Sequence, residues 1–122
     1  MHSVNFTQMK DGTREEYHFL ERLENEFNQN LPERILKALA ELEHSLSGYR
    51  VSRLQHSLQS AARAEADGAD EDMIVGALIH DIGDDLAPYN HSQLAAAVIR
   101  PYVRGEVTWV LHHHGLFQNC YY

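Results

Sequence analysis

Residues 53–84 read RLQHSLQSAARAEADGADEDMIVGALIHDIGD. Leu54, Leu58, Ala61 and Ala62 fall on one face at helical spacing, which predicts a helix from about Ser52 to Ala66, stopped by Gly68. Asp70 has N-cap chemistry. The run it opens is apolar on almost every side after its first turn, which predicts a buried helix leading into His80–Asp81. No window of the chain alternates with period two, and no repeat is evident, so the expected fold is all-α.

Working outward, Thr13 and Glu16 form a capping-box signature after an irregular leader over residues 1–12, opening a helix to about Asn28. Pro32 suits the first turn of a second helix reaching about Leu46, and Ser47–Gly48–Tyr49 breaks it. Downstream, Gly83, Pro88 and Asn90 mark a loop. Helices are expected over about His91–Arg100 and, beyond Pro101, over Gly105–His114 with a stop at Gly115. The sum is a bundle of about six helices. Residues 1–48 are expected as an N-terminal helical extension and 49–118 as the core of a single domain.

The chain has 122 residues, enough for one domain and too few for two. Its formal net charge of -8, with no run of basic residues, argues against nucleic acid as a partner. No stretch approaches the roughly 20 apolar residues that span a bilayer, so no membrane partner is expected. Cys120 stands alone, which excludes an internal disulfide and fits a cytoplasmic location.

Nine residues are histidine, and six of these lie between His56 and His114. His80–Asp81 closes an apolar helix, where an ionisable pair needs a partner. A divalent cation would provide one; a cap on the next turn and a hydrogen bond to a carbonyl would provide another. His56 lies on the polar side of its helix, either solvated or aimed into an interhelical cleft. His91 follows Asn90 at a helix start, which favours a neutral imidazole able to bind metal or simply to sit beside a cap. His112, His113 and His114 point about 100° apart in succession, so they cannot all face one site. Read together, the order supplies single ligands from several helices around one carboxylate able to bridge two metals.

The segment from Arg53 to Asp84 resembles the opening of HD-domain proteins: a first His, about two dozen residues, then His-Asp followed by Ile-Gly. Within that superfamily it is most similar to the mixed-valent di-iron oxygenases of organophosphonate breakdown, relatives of myo-inositol oxygenase. Shared phrases are His-Ser-Leu-Gln, the Gly-Ala-Asp turn and the alanine-rich helix. The likeness covers roughly residues 49–118. It implies that His56, His80 and Asp81 hold one metal, and that Asp81 bridges to a second held by His91 and His114, with His113 the alternative. Two metal ions are implied, iron first, with manganese, zinc and nickel as alternatives. Tyr49 lies near where the phosphonate oxygenases place a mobile tyrosine.

Three departures qualify the likeness. The family ends its ligand set with a later aspartate, yet no aspartate follows Asp85, so a version shortened at the C-terminus is expected. Asp84 stands where the oxygenases carry a basic residue that contacts the bridging ligand or substrate. The step from Asp81 to His91 is also shorter than usual. Oxidative cleavage of a small organophosphonate-like or polyol substrate is the reading the likeness favours. A metal-dependent phosphohydrolase is the second, and a regulatory module with a degenerate site the third. Arg53, Arg63 and Arg100 are the cations best placed to meet a small anionic substrate, and the N-terminal helices offer a homodimer surface.

Overall fold

The computed structural model describes residues 1–121, with side chains through residue 114. Six α-helices and no strand are present among the described residues. They are α1 (Arg14–Gln29), α2 (Leu31–Glu41), α3 (Arg53–Ala66), α4 (Glu71–Ile79), α5 (His91–Ile99) and α6 (Gly105–Tyr121). The chain divides into two compact units, Met1–Leu36 and Lys37–Tyr122. The boundary between these units lies inside α2, whose second half and following turn bury Leu39 and Leu42.

In the first unit the expected capping box forms. Thr13 Oγ1 accepts from the Glu16 amide at 3.2 Å, and Glu16 Oε1 accepts from the Thr13 amide at 3.1 Å. Residues 1–12 are less irregular than expected. They hold a 3-10 turn over Met9–Asp11, the Tyr17 hydroxyl donates to the Met9 carbonyl, and the Asn5 amide donates to Glu16 Oε2 at 2.7 Å.

In the second unit α3 packs on α4 and on the 3-10 turn Leu42–His44, while α6 packs on α4 and α5. Leu42, Ile79, Ala95, Ala96, Ile99, Val107 and Leu111 form the buried apolar core. Burying each of the larger ones stabilises the fold by about 1.5–3 kcal/mol. Gly76 sets the α4–α6 approach, since a Cβ there would lie 2.6 Å from Val107 Cγ1. Arg104 pins the two helix starts, its amide donating to Asp72 and its Nε to Asp70, both at 2.9 Å.

Three expectations are corrected. α4 is not buried on all sides: Val75 is exposed, and full burial is confined to Gly76 and Ile79. α3 is turned away from its leucine face: Leu58 is half exposed while Ser57 is fully buried. α6 runs through Gly115 to Tyr121. A helical glycine costs only about 1 kcal/mol, too little to force a stop. Cys120 and the aromatic segment after His114 lie outside the described side chains. No described helix is long and apolar enough to cross a membrane.

Candidate metal centre

Helix α3 begins at the Ser52 cap, whose hydroxyl accepts from the Gln55 amide at 3.0 Å. From there Arg53, His56, Ser57 and Ser60 project along the inward face. The serines are tolerated inside because each hydroxyl donates back along the helix, Ser57 to the Arg53 carbonyl at 2.9 Å and Ser60 to the His56 carbonyl at 2.8 Å. α4 ends at Ile79, and His80 and Asp81 follow in a tight turn closed by the Ile82 amide on the Ile79 carbonyl. Gly83 then lets the start of α5 come close, because a Cβ on it would lie 3.2 Å from the His91 Cα. α6 supplies His114.

These elements converge on Asp81, which is fully buried. Its Oδ2 faces His80 Nε2 at 3.1 Å and His56 Nε2 at 3.4 Å. Its Oδ1 faces His114 Nε2 at 3.4 Å and His91 Nε2 at 3.5 Å. Neither of those last contacts forms a hydrogen bond, and Oδ1 is left without one. His56 Nε2 and His80 Nε2 stand 3.1 Å apart. The four rings pack edge to face in sequence, His56–His80–His114–His91, with centroids 5.0–5.1 Å apart.

The outer nitrogens show what the inner ones carry. His80 Nδ1 lies 2.6 Å from the Ala77 carbonyl, and His114 Nδ1 lies 2.6 Å from the Leu111 carbonyl. Each Nδ1 is therefore the donor, and whenever the ring is neutral its Nε2 lone pair faces Asp81. Lone pairs facing carboxylate oxygens repel unless a cation lies between them. Metal bonds of about 2.0–2.2 Å put neighbouring ligand atoms about 3.0–3.5 Å apart, the spacing seen here. The donors fall into two groups, His56, His80 and Asp81, and Asp81, His91 and His114, sharing one carboxylate. An orphaned buried oxygen, inward lone pairs and an imidazole–carboxylate donor set fit divalent metal.

Proton and metal compete for this position. Burial pushes the Asp81 carboxyl up, but the His114 and His80 imidazoles and the charges of His80 and Arg53 outweigh it. The carboxyl is held well below the usual carboxylate range. Burial lowers His80, yet its contacts with Asp81 and with the Ala77 carbonyl leave it raised. His56 is lowered, by burial first and then by the charge of His80.

The other sequence candidates separate. Asp84 stands at the rim, its Oδ2 accepting from Arg53 Nε at 3.0 Å and its Oδ1 3.9 Å from His91 Nδ1. Tyr49 is exposed, with the Arg53 guanidinium 5.1 Å above its ring. Both line a cavity of about 420 Å³ with Ser45, Arg53, Asp85 and His91. His113, the alternative to His114, is turned elsewhere: it stacks on Trp109 at 4.4 Å, and its Nδ1 lies 2.8 Å from the Trp109 carbonyl. Arg63 is exposed, and Arg100 lines a separate cavity with Trp109 and His113. Glu106, the one later carboxylate, pairs with Arg104. Sequence reading missed that Arg53 also donates through Nη2 to Asp81 Oδ2. Its place three residues before His56, on the same helix face, was the available signal.

The HD domain family model matches residues 53–119, more than half of the chain. The chain belongs to the HD domain family. A 1-hydroxy-2-(trimethylamino)ethylphosphonate dioxygenase (glycine-betaine-forming) from Leisingera caerulea is 33% identical over 78 residues, covering 55% of this chain and 40% of that protein. This HD domain therefore spans less than half of that relative's length. No solved structure matches the chain. HD membership and the convergent His/Asp donors together fit a metal-binding domain.

Proposed function

We propose that this HD domain holds two metal ions, iron first among the candidates, and oxidatively cleaves a small organophosphonate-like substrate. One observation carries the reading: each oxygen of buried Asp81 faces two imidazole Nε2 atoms, giving two half-sites around one bridging carboxylate. His56 and His80 would hold one ion, His91 and His114 the other. Bound there, the metals would supply redox and Lewis-acid chemistry beside the cavity that His91 and Arg53 line. The protein's own contributions follow from its contacts. The Ala77 and Leu111 carbonyls orient the His80 and His114 rings. Arg53 supplies the fixed positive charge in the cavity wall, suited to an anionic head group. Tyr49 and Asp85 line the same space, where an aromatic ring and a carboxylate suit the cationic end of such a substrate. The relative's named substrate class supports the oxygenase over the hydrolase.

One feature favours hydrolysis of a phosphate ester as the second reading. Asp84 is a part-exposed carboxylate beside His91, placed to accept a proton from an attacking water. Metal analysis of chain purified without chelator separates the two. About two irons per chain, a mixed-valent EPR signal on partial reduction, and O2 uptake with a hydroxylated aminophosphonate are expected for the oxygenase. Manganese, zinc or nickel with O2-independent turnover of a phosphate monoester would replace it by the hydrolase. Absence of metal, unaltered in His80→Ala, would leave only a regulatory module.

A further inference from the structure

We propose that Arg53 sets the order of metal loading, the His91–His114 half-site filling first and the His56–His80 half-site second and more weakly. The inference rests on the two-metal reading above. The halves share a carboxylate but not its surroundings. Oδ1 is buried and makes no hydrogen bond, so a cation entering between it, His91 and His114 displaces no existing bond. Oδ2 is already engaged, because Arg53 Nη2 donates to it. Guanidinium is permanently charged, and this one is held in place from its other side by Asp84 on Nε at 3.0 Å. Its side chain is only 17% exposed, so water screens it poorly. A cation held by His56, His80 and Oδ2 therefore meets a fixed like charge and must share its carboxylate oxygen with a donor. No comparable cation touches Oδ1 among the described residues.

The test is calorimetric titration of the chelator-treated full chain with cobalt(II). Wild type is expected to bind in two stages of unequal affinity, with His91→Ala losing the tighter stage and His56→Ala the weaker. Arg53→Gln is expected to raise the weaker stage by about tenfold or more without moving the tighter one. Arg53→Lys, which keeps the charge, is expected to keep the gap. The two ligand variants test the order even if Arg53→Gln fails to fold. Two stages of equal affinity would overturn the proposal, as would loss of both stages in Arg53→Gln, or a lysine variant behaving like glutamine. In each of those cases the two-metal reading survives. No cobalt binding by wild type would remove both.

Discussion

Glu16 and Asp81 are both buried carboxylates, one in each unit, and they are buried in opposite ways. Glu16 accepts the Asn5 amide on one oxygen and the Thr13 amide on the other, so its lone pairs are matched by donors the backbone must satisfy anyway. Asp81 has one oxygen with no hydrogen bond and faces imidazole Nε2 atoms that carry no proton when the His80 and His114 rings are neutral, their Nδ1 atoms donating to backbone carbonyls. The first carboxylate closes a structural account. The second leaves one open, which a cation would close. Burial alone does not separate the two roles; the identity of the facing atoms does.

The strongest challenge to that contrast is Asp81→Asn, which removes the shared charge from both half-sites. Cobalt or iron should bind at neither position, and the rise in thermal midpoint that metal gives wild type should vanish. A variant that still gained stability from metal would mean that Asp81 is another Glu16.

A narrower test compares neighbours on α6. His114→Ala should weaken metal binding by more than the roughly 10–100-fold typical of an outer-shell partner, with the loss confined to one of the two stages. His113→Ala should leave both stages in place, because that ring is spent on Trp109. Equal losses in the two variants would dissolve the assignment of the α6 ligand. The same contrast has a pH signature. Metal needs a neutral His80 imidazole, and that pKa is raised, so affinity at its half-site should begin to fall above the ordinary histidine value of about 6.5 as pH drops, while Asp81, held ionised far below that, should not limit it.

The helices were legible because caps and breaks are local: Thr13–Glu16, Ser52, Asp70 and Pro101 act within a turn or two of themselves. The rotation of α3 was not. Its apolar residues mark a leucine face, but the inward face is the one bearing Arg53, His56 and Ser57, since a site's polar side chains are buried for their chemistry. The same cause hid the Arg53 contacts, which join α3 to the turn after α4 across 28 and 31 residues. Spacing excluded one shared site for all three late histidines. The family likeness ranked His114 ahead of His113, and the packing of α6 on α5 supplies the physical reason, turning His114 toward Asp81 and His113 onto Trp109.

The smallest effect is expected at the other carboxylate, and it is diagnostic because it should be silent at the metal centre. Backbone hydrogen bonds from Asn5 and Thr13 lower the Glu16 pKa. A depressed folded value means that its contribution is fully present above the ordinary carboxyl range, about 4.3, and fades as pH falls through the folded value. Glu16→Gln should therefore speed hydrogen exchange at the Asn5 and Thr13 amides near neutral pH, with the gap to wild type closing in acid. Thr13→Ala, which removes the other half of the capping box, should cost about 1 kcal/mol in local stability. Neither variant should change the stoichiometry or affinity of bound metal. If either did, the two carboxylates would be parts of one device, and a donor-satisfied buried acid could no longer be set aside as structural.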